Sequence, residues 1–313
     1  MKFFKKLKKI FGTTVHFSEL SLWCKILIYI SLILLILIVA NKHKPKVEGF
    51  SQSEKFVTKN NNNIYDDFYC SIYDDLVFDT TKNKFELDEL QYISKLSKES
   101  DVLDVGSGRG HHVKYFKDIG AKSIGIDKSK AMIKLSKKKY PMCKYKHGDV
   151  LDSMHFKQNQ FTHILSLYFT TYYLEDKYKF FQNAFKWLKP GGYLVLHLVN
   201  RNKFDPIINT SNPVHMVSVQ KYAPKRITNS VVKFNDFTYK ANFKLKDGKG
   251  TFSETFKDDG TNNVRKNEHV LQMEPQKDIL AKAKKAGFIF HGKSDMVNCM
   301  YEYQYLYYLI KPE

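Results

Sequence analysis

The chain has 313 residues, 43% of them hydrophobic, with 51 Lys and Arg against 32 Asp and Glu and a formal charge of +19 at pH 7. That apolar content supports a real core and excludes a disordered or fibrous chain. Cys24, Cys70, Cys143 and Cys299 are far apart, with no Cys-x-x-Cys and no His at zinc spacing, so they read as reduced structural thiols and no metal site is expected.

The charge invites a nucleic-acid or membrane partner. Residues 1–64 hold 11 Lys against 3 Glu, and the remaining excess is spread along the chain, so no single basic face stands out. Residues 1–19 begin with Phe3, Phe4, Leu7, Ile10 and Phe11 at helical spacing between lysines, a basic amphipathic segment of membrane-surface type. Residues 20–40 then form an apolar run broken by Lys25, which can snorkel, and by Tyr29 and Ser31. About 20 residues suffice for a bilayer span, so a single-pass membrane helix is expected here. Lysines flank it on both sides and leave its orientation open. Residues 41–64 are polar, carry Pro45 and Gly49 and end in an asparagine run, which reads as a linker. The folded domain is expected over 65–313, opening with an acidic, aromatic stretch (65–78) and a helical pattern through Leu87, Leu90, Ile93 and Leu96.

The stretch Asp101-Val102-Leu103-Asp104-Val105-Gly106-Ser107-Gly108-Arg109-Gly110 places a strand-type apolar run before three glycines at every second position, and a helical pattern opens at His111. Glycines there let a ligand approach bare backbone, and the amides opening the helix face a polar or anionic group. A dinucleotide site would need G-x-G-x-x-G, and His111 occupies the place of its third glycine. Val113, Phe116 and Ile119 form one helix face closed by Gly120, and a second strand over 123–126 ends at Asp127. A carboxylate about twenty residues after the first glycine is placed to accept ribose hydroxyl protons. Ser129 caps the next helix, and His147-Gly148-Asp149-Val150 follows a short strand. The fourth strand, 161–167, leads into Tyr168-Phe169-Thr170-Thr171-Tyr172-Tyr173, and Leu188-Lys189-Pro190-Gly191-Gly192 turns a helix into the fifth strand.

Asp104-x-Gly106-x-Gly108-x-Gly110 resembles motif I of the class I S-adenosylmethionine-dependent methyltransferases, and the LKPGG turn resembles that of their type 11 group. The resemblance implies an α/β Rossmann-like seven-stranded sheet with the last strand antiparallel. It also implies S-adenosylmethionine as cofactor, held by Asp104, Gly106, Ser107, Gly108, Gly110, Asp127, Lys128, Asp149, Val150 and Ser166. The family's usual aspartate opening the fourth strand is Thr162 here, and its frequent His pair is Tyr172 and Tyr173, so the acceptor and any general base stay open. Tyr168, Tyr172 and His197 are the candidates for the chemistry. From 200 to 273 the pattern alternates, with Asp247-Gly248 as a hairpin turn, and reads as a β-rich insertion forming a lid. A helix stopped by Gly287 and two closing strands complete the domain.

The leading expectation is thus a membrane-anchored methyltransferase, its catalytic domain facing the cytosol, acting on a small-molecule or lipid-like acceptor. Base-amine methyltransferases carry an N/D-P-P-aromatic motif after the fourth strand, where this chain has Ser166-Leu167-Tyr168-Phe169, so nucleic acid is the lesser reading. An inactive cofactor-binding membrane module is the third.

Overall fold

The computed structural model describes residues 21–42, 54–207, 220 and 223–313, so the expected amphipathic segment over residues 1–19 lies outside the described residues. The chain divides into two units, Met1–Glu48 and Gly49–Glu313. In the first, α1 (Leu22–Lys42) is a continuous helix, and Ser31 returns its hydroxyl to the Leu27 carbonyl at 2.8 Å. Its described side chains, over 22–36, are largely exposed Leu and Ile. Among the described residues no helix is long and apolar enough to cross a membrane.

In the second unit, β2 (Asp101–Val105), β3 (Lys122–Asp127), β4 (Lys144–His147), β5 (Phe161–Ser166) and β6 (Leu188–Val199) pair in parallel. The sheet closes with β12 (Gln304–Ile310) antiparallel to β6 and β11 (Ile289–Asp295) antiparallel to β12, giving the order β11-β12-β6-β5-β2-β3-β4. This is the expected seven-stranded sheet with its reversed last strand. Val102, Leu103, Val105, Ile164, Leu165, Leu194 and Leu196 are buried because helices cover both faces, which is why these strands read as unbroken apolar runs. The helices are α4 (His111–Asp118), α5 (Lys130–Lys139), α7 (Lys177–Trp187) and α8 (Gln276–Lys285). Ser129 caps α5 by accepting the Met132 amide, as expected. Strand order reverses between β2 and β5, so the carboxyl ends of β2, β3 and β5 border a crevice.

A second sheet, β1-β10-β9-β8-β7, is built from β7 (Asn229–Lys233), β8 (Phe237–Lys246), β9 (Lys249–Asp258) and β10 (Val264–Gln272). Asp247 and Gly248 take φ of 50° and 77°, the left-handed pair that a two-residue hairpin requires. Its edge strand corrects the sequence reading. β1 (Phe56–Asn60) lies in the stretch expected to be linker and pairs in parallel with Val264–Glu268. Its residues are mostly polar and none is fully buried; backbone pairing holds it, with Lys59 4.0 Å from Asp66, and no apolar periodicity announces it.

Two helices precede the larger sheet, α2 (Asp67–Val77) and α3 (Thr80–Ile93). Ile64, Tyr69, Ile72 and Leu76 pack with Phe237, Tyr239, Ala241 and Phe256, seating α2 on the second sheet. Arg265 fastens this joint. It donates to both Asp66 carboxylate oxygens at 2.9 and 2.8 Å and to the Ile64 carbonyl at 2.9 Å, while Asp66 also caps α2 through the Tyr69 amide. Removing one partner of such a pair leaves polar groups stranded, though Asp66 keeps partial solvent access. Arg265→Ala is therefore expected to cost about 2 kcal/mol, read as a fall in Tm of about 4–8 °C; an unchanged Tm would refute this role.

Candidate functional site

A cavity of about 520 Å³ lies between the carboxyl ends of β2, β3 and β5, helix α2 and strands β9 and β10, a volume within the range of small-molecule and cofactor sites. Its floor is the turn after β2. Gly106, Gly108 and Gly110 all have positive φ, for different reasons. A Cβ at Gly106 would come within 2.5 Å of Thr170 Oγ1, and one at Gly110 would run into the Tyr145 hydroxyl, so packing excludes side chains at both. A Cβ at Gly108 would meet nothing within 4 Å. Only here is bare backbone open to a ligand.

The Gly108 amide donates to Asp127 Oδ2 at 2.9 Å, and the Ser129 amide donates to Oδ1 at 2.8 Å. Each oxygen keeps a lone pair for a further donor. Burial pushes the Asp127 carboxyl above its ordinary range, with the Ser129 and Gly108 amides pulling the other way. Asp149 accepts the Leu151 amide at 3.0 Å and pairs with Lys128 at 2.8 Å. Burial would raise its pKa, but the Lys128 and Leu151 bonds outweigh that and lower it. Asp104, Gly106, Ser107, Gly108, Asp127, Lys128, Asp149 and Val150 all line the cavity, as does Tyr168. Tyr168 has φ of 51°, a left-handed conformation rare for a bulky side chain and characteristic of functional sites.

Four expected residues do not line it. Gly110 is the N-cap of α4 and packs on Tyr145. Ser166 is buried with its hydroxyl on Thr171 at 2.9 Å. Two catalytic candidates are corrected. The Tyr172 hydroxyl accepts the Val199 amide at 2.7 Å and donates to the Val199 carbonyl, pinning the end of β6. His197 is fully buried against Gln304 at 3.0 Å, and burial lowers its pKa to about 4. Tyr172 lies in the short helical turn Thr170–Tyr173 after β5 and His197 inside β6, and both are buried in the core away from the cavity.

The sequence reading also missed groups. Glu254 on β9 and His269 on β10 face the cavity with Tyr65, Tyr69 and Tyr73. Arg265, Asn267, His269 and Leu271 are buried at every second position of β10. Carrying the phase of Leu271 backward would have turned His269 inward. Beneath the turn, Lys82 and Glu86 of α3 pair at 3.0 Å, and His112 reaches Glu86 at 3.0 Å. Burial would raise the Glu86 pKa, yet the Lys82 charge and the His112 bond hold it down to about 2. Asp104 has no such compensation. Burial raises its pKa to about 6, the nearby Glu86 and Asp127 adding to the rise and His112 and Lys82 opposing it.

Residues 103–196 match the family described as a methyltransferase domain. A probable S-adenosylmethionine-dependent methyltransferase of Mycolicibacterium smegmatis is 27% identical over 116 residues, 37% of this chain and 44% of that one. Phosphoethanolamine N-methyltransferase of Plasmodium falciparum is 28% identical over 161 residues, 48% of this chain and 58% of that one. The chain thus spans about half the length of the curated relatives it matches. A solved S-adenosylmethionine-dependent methyltransferase from Clostridium acetobutylicum superposes with a TM-score of 0.58 at 17% identity, covering 78% of this chain and 98% of that one, and shares the fold.

Two of the perturbed buried groups, Asp104 and His197, oppose each other in pH. Asp104, raised from 3.8 to about 6, keeps its proton longer when folded, so its contribution is full at low pH and is lost as pH rises through that window. His197, lowered from 6.5 to about 4, contributes at higher pH and loses that contribution as pH falls. Asp104→Asn removes the first and leaves the second. Its Tm is expected to climb with pH between about 4 and 6.5 more steeply than that of the parent chain; parallel curves would rule out the assigned perturbations.

Proposed function

We propose that this chain, whose residues 103–196 belong to the class I S-adenosylmethionine-dependent methyltransferase family, binds S-adenosylmethionine in the 520 Å³ cavity and transfers its methyl group by direct displacement to an enclosed small-molecule acceptor. The observation that carries this reading is the Gly108 amide bound to the Asp127 carboxylate at the cavity wall, with open space above Gly108. Those groups fit the cofactor: unhindered backbone for its chain, free lone pairs of Asp127 for two ribose hydroxyls, and Asp149 with the Val150 backbone for the adenine edge. When bound, S-adenosylmethionine supplies a methyl carbon activated by a positively charged sulfur.

Tyr73, Tyr168 and Tyr173 also line the cavity. Their ring faces favour a cation, and their bulk keeps water from the reacting atoms. The acceptor class agrees with the relatives, one of which is by name a phosphoethanolamine methyltransferase.

Membrane attachment through α1 belongs to the same proposal. Leu27, Ile30, Ile33, Leu34 and Leu35 are among its exposed side chains, and such a surface is at home in lipid. The catalytic unit is placed on the cytosolic side, where the cofactor is made. Retention of the full chain in the membrane pellet after alkaline carbonate extraction is the expected result, and release into the supernatant would remove this part of the proposal.

The cofactor assignment is tested by Asp127→Ala. Losing charge-assisted bonds to the ribose is expected to weaken S-adenosylmethionine binding by roughly 10- to 100-fold, measured by calorimetry at neutral pH. Equal affinity in the variant would reject the pocket.

A further inference from the structure

Glu254 is buried in the second sheet with all its acceptor capacity occupied. Oε1 accepts the Tyr69 hydroxyl at 3.1 Å and the Tyr239 hydroxyl at 2.9 Å; Oε2 accepts the Asn267 side-chain amide at 3.2 Å and His269 Nε2 at 2.8 Å. Burial alone would raise its pKa, but His269 first, then Tyr239 and Asn267, lower it, so it is a carboxylate and can only accept. His269 therefore carries its hydrogen on Nε2, and Nδ1 is left as an acceptor. The Tyr173 hydroxyl, 2.7 Å from Nδ1, must donate to it. With its one hydrogen engaged, Tyr173 accepts from the Tyr65 hydroxyl at 3.0 Å. Tyr65 then meets the cavity with oxygen lone pairs and no hydrogen. Its carbonyl accepts the Ser129 hydroxyl at 2.7 Å, tying this end of the chain to the loop after Asp127.

Resting on the methyl-transfer reading above, we propose that Tyr65, Tyr173 and His269 form a proton relay, positioned by Glu254, that deprotonates an aromatic hydroxyl of the acceptor. The order of donors and acceptors is that of a hydroxyl, an imidazole and an orienting carboxylate, extended by one tyrosine. In the step, the acceptor O–H bond breaks and its proton passes to the Tyr65 oxygen. The Tyr65 proton moves to Tyr173 and the Tyr173 proton to His269 Nδ1, leaving an imidazolium against Glu254. The acceptor oxygen's electron pair forms the O–CH3 bond, and the pair of the broken S–CH3 bond stays on sulfur. After product release the proton returns to solvent by the same path.

A hydroxyl is the nucleophile that needs this device, because a phenol, with a pKa of about 10, keeps its proton at neutral pH. Tyr65, Tyr73, Tyr168 and Phe252 give the cavity the flat apolar walls that an aromatic ring fills.

The test uses the full chain saturated with S-adenosylhomocysteine and the probe para-nitrophenol, whose visible band reports ionisation. At a pH where the free probe is mostly neutral, the bound probe is expected to absorb as nitrophenolate. In Tyr65→Phe and His269→Gln the phenolate fraction of the bound probe should fall by on the order of tenfold, with S-adenosylhomocysteine affinity by calorimetry unchanged. If His269→Gln loses that affinity, Tyr65→Phe, which removes a single oxygen, decides. A neutral bound probe in the parent chain, or the same spectrum in the variants, overturns the relay. A probe that fails to bind while S-adenosylhomocysteine binds overturns the aromatic-hydroxyl class. Failure of S-adenosylhomocysteine to bind the parent chain sinks the methyl-transfer reading itself.

Discussion

The hydrogen bond from the Gly108 amide to Asp127 Oδ2, 2.9 Å long, couples two loops nineteen residues apart and sets the shape of the floor of the cavity. It forms only because β2 and β3 lie side by side in parallel register, with Val105 opposite Ile126. The same alignment lets the Gly106 and Ser107 amides donate to the Ile126 carbonyl. The turn is thus held by backbone bonds to the neighbouring strand, and its side chains are free to be absent. That frees Gly108 to present backbone, while Gly106 and Gly110 exist to admit Thr170 and Tyr145.

The other half of the site comes from far away in the chain. The second sheet brings Glu254 and His269 over the crevice, and α2 closes the gap with Tyr69 and Tyr73. Arg265 joins the two by reaching Asp66 and the Ile64 carbonyl from the opposite end of the chain. The cavity is therefore a joint between a largely parallel sheet that offers its strand tips and a second, mixed sheet that offers alternating inward side chains. Its polar groups are arranged accordingly: carboxylates at the strand tips of the first, a hydrogen-bonded Glu–His pair on the second.

Burial decides which ionisable groups are available. Glu86 is compensated by Lys82 and His112 and stays ionised inside the protein, whereas burial pushes the Asp104 carboxyl on β2 up to about 6. His197 has Gln304 on one nitrogen and no hydrogen-bond partner on the other, which lies 4.0 Å from Glu86. Its burial removes it from acid–base work near neutral pH. His111, His112 and His269 do line the cavity, each held by a carboxylate: Asp74, Glu86 and Glu254 respectively.

Read alone, the amino-acid sequence determined the parallel core of the fold and the cofactor end of the site. Apolar strands, glycine turns and strand-tip carboxylates are local patterns, and spacing along the chain translates directly into position at one sheet edge. The single-residue assignments were harder to read: Tyr172, in the helical turn after β5, and His197, within β6, have the right chemistry, and only their partners, Val199 and Gln304, show that they serve packing. Tertiary structure alone decided the end of the cavity that the second sheet supplies. β1 is visible only as a backbone ladder against β10, and Tyr65, Tyr173, His269 and Glu254 belong to four separate stretches of chain. No local period links residues 65 and 269; what unites them is a chain of hydrogen bonds whose direction is dictated by one buried carboxylate.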